Sequence, residues 1–173
     1  MRCFIAAEVS GHTRDMIANA MRHTDKYALK VVGPELMHIT IKFLGDISDS
    51  DLEVCKRAVD DCAGAQIPIK VVGGGAFPNP YRARVIYASI TSPELYAVAD
   101  CIRKRTSQYG DNKPFVGHLT VARTRNSPIN ATGIIERLNT IRTEDTISKI
   151  SIKKSTLTPS GPIYEDIHTK ILG

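Results

Sequence analysis

The stretch His38-Ile39-Thr40-Ile41-Lys42-Phe43-Leu44-Gly45 has a shorter counterpart, His118-Leu119-Thr120-Val121-Ala122, which starts eighty positions further along the chain. In each copy a histidine and a threonine alternate with apolar residues. Because side chains two apart on a β-strand share a face, each copy predicts a strand that presents one imidazole and one hydroxyl. One such tripeptide is typical of any half-buried strand, but two in matching contexts favour one site built from two strands.

These four polar side chains suit displacement at phosphorus. The attacking and leaving oxygens lie roughly in line, so a base is needed on one side and an acid on the other. Histidine serves both roles because its ordinary pKa is about 6.5. Threonine hydroxyls can hydrogen-bond the charged non-bridging oxygens. The pattern therefore predicts His38 and His118 as an acid–base pair, with Thr40 and Thr120 as phosphate ligands.

The paired motifs resemble the signature of the 2H phosphoesterases, and within that superfamily the RNA 2′,3′-cyclic phosphodiesterases, also called 2′-5′ RNA ligases. The resemblance covers nearly the whole chain and includes residues 1–6, 38–45, 75–80, 118–123 and 157–164. The family pattern departs at Tyr87, where a tryptophan is expected and the chain has none. We interpret Tyr87 as a packing substitution.

The resemblance implies an α+β fold in which residues 1–173 form a single two-lobed domain. Two pseudo-symmetric, mainly antiparallel sheets would line a central groove, with helices on their outer faces. The implied reaction hydrolyses RNA 2′,3′-cyclic phosphate ends to 2′-phosphomonoester ends without metal or cofactor. His38 would be the proton donor and His118 the proton acceptor, while Thr40 and Thr120 hold the phosphate. With an RNA 5′-hydroxyl in place of water, the same pair would form a 2′-5′ linkage.

Two other functions fit the same residues. A non-catalytic protein that binds RNA ends or nucleotides would keep the groove, although the presence of all four motif side chains counts against it. A phosphodiesterase of this type would alternatively act on a small cyclic nucleotide or a 2′-5′ oligonucleotide. Among RNA substrates, tRNA fragments are one candidate. We expect a monomer.

Arg123 is a candidate phosphate ligand, since its guanidinium offers a fork of donors. Strict alternation along the strand points Arg123 away from His118. A bulge or a strand end near Ala122 would be needed to turn it inward. Because family members have an arginine at this place, the resemblance implies contact with the phosphate.

Three further residues near the first motif have two interpretations each. Lys42 has the same parity as His38 and would help to neutralise the phosphate, or it would be an ordinary surface lysine. Phe4 and Phe43 would stack on a base, but their parity favours the core. We therefore leave all three outside the catalytic set.

The composition is typical of a compact protein, and its basic charge favours binding to an anionic partner. The 173 residues are 42% hydrophobic, and 23 basic against 18 acidic residues give a net charge of +5. No apolar run of about 20 residues could span a bilayer, and no signal peptide is recognisable, so we expect a cytoplasmic protein without membrane contact. The basic run 103–105 is typical of a helix end.

The four cysteines predict no special chemistry. Cys55 and Cys62 would lie about 10 Å apart along one helix, too far to bridge. With Cys3 and Cys101 they show no disulfide-scaffold density, and we expect free thiols in the core. The remaining histidines have no second ligand at zinc-like spacing, so no metal is expected. The run 73–75 lacks the other residues of a phosphate loop.

Periodicity predicts the order of elements. Strands are expected at residues 2–8, 38–44, 67–73, 84–90, 117–122, 146–155 and 165–171. Helices are expected at residues 13–23, 49–63, 93–109 and 128–139. Ser48 and Ser92 are predicted caps, the latter followed by Pro93 at the first helical position.

Overall fold

The computed structural model describes residues 1–24 and 27–173. Along these residues the order is β1 (Arg2–Ala7), α1 (Gly11–Ala20), β2 (Leu29–Val31), β3 (Ile39–Asp46), α2 (Asp49–Cys62), β4 (Ile67–Phe77), β5 (Val85–Thr91), α3 (Pro93–Arg105), β6 (His118–Thr124), α4 (Thr132–Leu138), β7 (Arg142–Ile147), β8 (Lys149–Thr158) and β9 (Gly161–Ile171). Short 3₁₀ turns occupy Pro34–Leu36 and Pro80–Arg82.

The strands form two sheets that place the two motifs opposite each other. One sheet has the order β3-β1-β8-β9 and the other β2-β6-β5-β4-β7, and the pairings within both are antiparallel. The first motif lies on β3 and the second on β6, and these two strands contact each other. The predicted α+β fold with two antiparallel sheets is therefore confirmed.

Helices α2 and α3 begin where their caps were predicted. The Asp51 amide donates to the Ser48 hydroxyl, and the Asp51 carboxylate accepts from the Ser48 amide, which completes a capping box. In α3 the Leu95 amide donates to the Ser92 hydroxyl at 3.0 Å, with Pro93 following the cap. Leu52, Cys55 and Val59 form an apolar stripe on α2 that is buried and packs into the core.

Some boundaries differ from the sequence prediction. The expected strand 146–155 is two strands, because the chain leaves one sheet at Ile147 and enters the other at Lys149. The expected helix 128–139 begins only at Thr132, since Ile129 exchanges backbone hydrogen bonds with Ala83 and stays extended. Strand β2 was not predicted, and its three residues are too few to show periodicity.

The prediction of four free thiols is wrong for two of them. Cys62 and Cys101 form a disulfide with a Cα–Cα distance of 5.7 Å, whereas Cys3 and Cys55 are free and buried. The expectation rested on the spacing of Cys55 and Cys62 within one helix. The partner of Cys62 lies on α3, which packs against α2. The bond therefore joins two helices that are 39 positions apart at the bridged residues.

No helix in the described part of the chain is long and apolar enough to cross a membrane.

Candidate active site

The five predicted site residues line one cavity between the sheets, with a volume of about 330 Å³. They are His38, Thr40, His118, Thr120 and Arg123. The cavity wall also includes apolar and aromatic side chains, namely Phe4, Val32, Phe43, Leu157 and Tyr164. Strands β3 and β6 thus present their motif faces to a common space.

The imidazole of His38 is held at both ring nitrogens. Its Nδ1–H donates to the Leu36 carbonyl at 2.8 Å, and its Nε2 lies 3.0 Å from the Thr40 hydroxyl. Because a carbonyl oxygen only accepts, this contact places the proton of the neutral ring on Nδ1. Nε2 then accepts from the Thr40 hydroxyl and is the nitrogen available for proton transfer.

His118 repeats this arrangement from the other sheet. Its Nδ1–H donates to the Val116 carbonyl at 2.7 Å, which again leaves Nε2 as the basic nitrogen. In both motifs the accepting carbonyl belongs to the residue two positions before the histidine. The local backbone therefore fixes the same tautomer twice.

Burial lowers the pKa of His38 below its ordinary value, because the imidazolium would lose its hydration. The hydrogen bond to the Leu36 carbonyl opposes this shift. The cationic charge of Lys153 lowers the pKa further, Glu8 raises it, and Arg123 lowers it again. In the ligand-free protein His38 is therefore biased towards the neutral form.

Each motif histidine packs against a pair of aromatic rings that also contact each other. The His38 ring lies 4.9 Å from Phe4 and 5.4 Å from Tyr164, measured between centroids. The His118 ring lies 5.3 Å from Phe77 and 5.4 Å from Tyr87. Tyr87 also stacks on Phe77 at 4.5 Å. The residue interpreted as a packing substitution thus packs against a motif imidazole and helps to fix its orientation.

A bulge turns Arg123 into the cavity, as its predicted role required. On β5, Ile86 and Tyr87 are consecutive, but their partners on β6 are Ala122 and Thr120. Val121 is the extra residue, and both it and Ala122 are buried. The strand parity is reversed after this point, so Arg123 faces the same space as Thr120.

A second bulge on β3 corrects two predictions. Ile5 and Ala6 on β1 pair with Lys42 and Thr40, so Ile41 is the extra residue. Lys42 consequently points into the core, with 1% of its surface exposed, and is neither a phosphate ligand nor a surface lysine. Its ammonium donates to the Asp111 carbonyl and to Asn112 Oδ1, both at 2.7 Å.

The same bulge moves Phe43 out of the core. Its side chain is 57% exposed and lines the cavity, contrary to the parity prediction. Phe4 is buried at 4% exposure, as predicted, although its ring edges the cavity beside His38.

Sequence reasoning missed two groups near the motifs. Arg2 lines the cavity, and its parity with Phe4 on the first strand was the available signal. Lys153 lies close beneath the site, where its ammonium is 2.7 Å from Glu8 and 2.5 Å from Asp166. These charges come from three strands or strand ends, so no local pattern reveals them.

Other candidates lie elsewhere. The run 73–75 belongs to β4, where Gly74 N–H donates to Asn139 Oδ1. His168 lies on β9 with its Nε2 2.8 Å from Asp60 Oδ1, and it is not part of the cavity wall. Among residues 1–24 and 27–173 no group of three or more His, Cys, Asp or Glu side chains is arranged to hold a metal ion.

Comparison with known proteins identifies the family. Residues 4–87 match the family model described as LigT like Phosphoesterase. The RNA 2′,3′-cyclic phosphodiesterase of Methanothermobacter thermautotrophicus is 31% identical over 181 residues, which cover 96% of both chains. The protein of the same name from Aquifex aeolicus is 30% identical and covers 100% of this chain and 98% of its own. The chain belongs to the LigT-like phosphoesterase family, a branch of the 2H phosphoesterases.

Solved structures agree on the fold. The crystal structure of TT0787 from Thermus thermophilus superimposes with a TM-score of 0.79 at 21% identity, covering 99% of this chain and 97% of that one. Escherichia coli LigT in its apo form gives a TM-score of 0.77 at 18% identity, covering 99% and 96%. The names of the sequence relatives support a phosphoesterase activity for this chain.

Proposed function

We propose that the protein hydrolyses 2′,3′-cyclic phosphate ends of RNA to 2′-phosphomonoester ends by acid–base catalysis between two histidines. One observation carries the proposal: His38 and His118 face one cavity from two sheets, each with Nδ1 tied to a backbone carbonyl. Each ring therefore offers one nitrogen, Nε2, for proton transfer. The names of the sequence relatives supply the substrate class.

In the proposed reaction His118 Nε2 removes a proton from water. The water oxygen attacks phosphorus and forms a new P–O bond while the bond from phosphorus to O3′ breaks. Protonated His38 delivers its Nε2 proton to the departing O3′. The product has a 3′-hydroxyl and a 2′-phosphate, and the two histidines have exchanged protonation states.

The hydroxyl of Thr40 has a different role in each state of His38. With His38 neutral, the hydroxyl donates to Nε2 at 3.0 Å. Once Nε2 carries a proton it no longer accepts, so the Thr40 hydroxyl is released to donate to a non-bridging phosphate oxygen. Thr120 donates from the opposite strand, and Arg123 adds a charge-assisted pair of donors.

The negative charge of the bound phosphate also favours the protonated form of His38. Burial lowers the pKa of His38, but an anion next to an imidazolium favours the charged form. A substrate carrying one negative charge would therefore raise this pKa on binding. His38 is therefore expected to become protonated, and so able to act as the acid, when the phosphate is bound.

An RNA 5′-hydroxyl that replaces water as the attacking group would give a 2′-5′ phosphodiester in the same geometry. Proton removal by His118 and proton donation by His38 are unchanged. Ligation is thus a second outcome of the proposed site rather than a separate activity.

The test uses a short RNA that ends in a 2′,3′-cyclic phosphate, incubated with the protein in EDTA. The product end is assigned as a 2′- or 3′-phosphate by its chromatographic mobility against standards. We expect the 2′-phosphate with wild type and none with His38→Ala or His118→Ala. A 3′-phosphate product, or dependence on added metal, would overturn the mechanism. Binding without turnover would favour the RNA-end binding alternative.

A further inference from the structure

The cavity extends along β1 beyond the two motifs to Arg2. Alternation puts Arg2 on the same face as Phe4, whose ring lies 4.9 Å from His38. At about 3.4 Å per residue, the Arg2 Cα lies roughly 7 Å further along the strand than that of Phe4. Arg2 therefore marks the end of the cavity that is distant from the reacting phosphate.

The charge of Arg2 has no counter-ion in the described part of the protein. No ion pair to its guanidinium occurs there, and the residue is exposed. Asp46, its pairing partner on β3, lies 3.6 Å from the N-terminal ammonium instead. Among the described residues that line the cavity, the permanent cations are Arg2 and Arg123, and none is a carboxylate.

Exposed apolar side chains line the same cavity as these two cations. Phe43 lies between Thr40 and Gly45 along β3 and is 57% exposed, and Leu157 on β8 is 68% exposed. Exposed apolar side chains of this size suit the faces of a nucleoside. The volume of about 330 Å³ is far larger than one phosphate requires. The cavity thus combines two cations with exposed apolar surface and has room for more than one phosphate.

The bonding of a 2′,3′-cyclic phosphate end limits which other phosphate of the RNA could reach Arg2. Both the 2′ and 3′ oxygens of the terminal ribose are bonded to the reacting phosphorus. The RNA chain can continue only through the 5′ oxygen of that ribose. Any further phosphate that reaches Arg2 must therefore be the phosphodiester on the 5′ side of the terminal nucleotide.

We propose that Arg2 binds this 5′-side phosphodiester, so that the groove recognises the end of an oligonucleotide rather than a single nucleotide. The inference rests on the proposed function and extends it to the nucleotide before the end. Guanidinium pairs well with the two free oxygens of a phosphodiester, because its donors form a planar fork.

The test compares two substrates that differ by the second phosphate: adenosine 2′,3′-cyclic phosphate and the adenylyl dinucleotide with the same cyclic end. Arg2→Gln should lower kcat/KM for the dinucleotide about tenfold or more, the usual effect of losing one charge-assisted contact. Its kcat/KM for the mononucleotide should equal that of wild type. Lys154→Gln is the matched control, since it removes the same charge from neighbouring β8 outside the cavity wall.

Three results would overturn the inference: equal loss on both substrates, no loss on the dinucleotide, or equal loss in the Lys154→Gln control. Equilibrium binding of both ligands is measured in parallel. If wild type turns over neither substrate, the proposed function fails; unaltered dinucleotide affinity in Arg2→Gln would then refute the Arg2 site separately. Thermal unfolding of Arg2→Gln should match wild type, because the replaced residue is exposed.

Discussion

Phe43 and Arg123 occupy equivalent positions in the two halves of the groove. Each follows its motif threonine by three residues, and each is turned inward by a one-residue bulge, at Ile41 and Val121. The backbones therefore repeat one geometry while the side chains differ. One half presents an aromatic ring and the other a guanidinium. The two halves of a nearly symmetric groove therefore differ in charge and in the ligand group that they can contact.

Arg123 should contribute to phosphate binding through both its charge and its shape. We expect Arg123→Gln to lower kcat/KM about 10- to 100-fold, because charged hydrogen bonds to phosphate are lost. Arg123→Lys should recover only part of this, since an ammonium lacks the fork. Arg125→Gln is the control, as its Nε contacts the Leu29 carbonyl outside the cavity. Full activity of Arg123→Gln would contradict the assignment.

The two motif histidines should behave as one catalytic unit. Removing a single general acid or base costs a factor of about 10² to 10⁴, and we expect at least this for His38→Ala and for His118→Ala. The effects of residues that act together are non-additive. The double variant should therefore be about as slow as the slower single variant, and not slower by a further factor of about 10² to 10⁴. Single-turnover rates measure this, and multiplicative losses would refute the pairing.

The pH dependence should differ between free and substrate-bound protein. His38 must be protonated to act as the acid, and burial lowers its pKa in the free protein. The alkaline fall of kcat/KM should therefore begin below the ordinary histidine value of about 6.5. Bound phosphate raises the pKa of His38, so the alkaline fall of kcat should occur at higher pH. Coincident profiles would contradict the proposed role of the substrate anion.

Lys42 should contribute to the free energy of unfolding rather than to catalysis. Lys42→Met retains the apolar stem but leaves the Asp111 carbonyl and Asn112 Oδ1 without their donor. We expect a loss of about 1–3 kcal/mol in the free energy of unfolding, measured by urea denaturation. Lys56 on α2 is partly exposed and pairs with Glu53, so Lys56→Met should change the free energy of unfolding by less than about 0.5 kcal/mol. Equal effects at both sites would show that the buried contacts stabilise nothing.

The Cys62–Cys101 bond should stabilise the protein measurably. For a sequence separation of 39 positions the chain-entropy model gives about 4 kcal/mol as an upper value, and we expect about 2–4 kcal/mol to be lost in Cys62→Ser. Reduced wild type should match this variant. Thiol titration of the unfolded, unreduced chain should find only Cys3 and Cys55. In the folded protein Cys55 should stay unreactive, because burial raises its pKa to about 11.

Local pattern predicted much of this protein, because strand alternation and helix capping are encoded by neighbouring residues. The motif strands, the caps at Ser48 and Ser92, and the convergence of His38 and His118 followed from such signals. The single domain over residues 1–173 stays a prediction.

The misses have a common physical origin. Bulges at Ile41 and Val121 depend on how a strand pairs with its neighbour, so parity alone misplaced Lys42 and Phe43. The bridge from Cys62 depends on helix packing between distant segments. These features depend on contacts between segments that are distant in sequence. Local sequence patterns therefore do not reveal them.

The central place of β1 has a consequence for synthesis of the chain. Ile5 on β1 pairs on one side with β3 and on the other with Ile152 on β8. As the polypeptide leaves the ribosome, β1 is synthesised well before its partner β8, so the edge of β1 that pairs with β8 stays open in the meantime. Translation that stops before β8 yields a chain with both motif histidines but an unfinished sheet. Such a truncated product should be a client of chaperones and proteases rather than a slow enzyme.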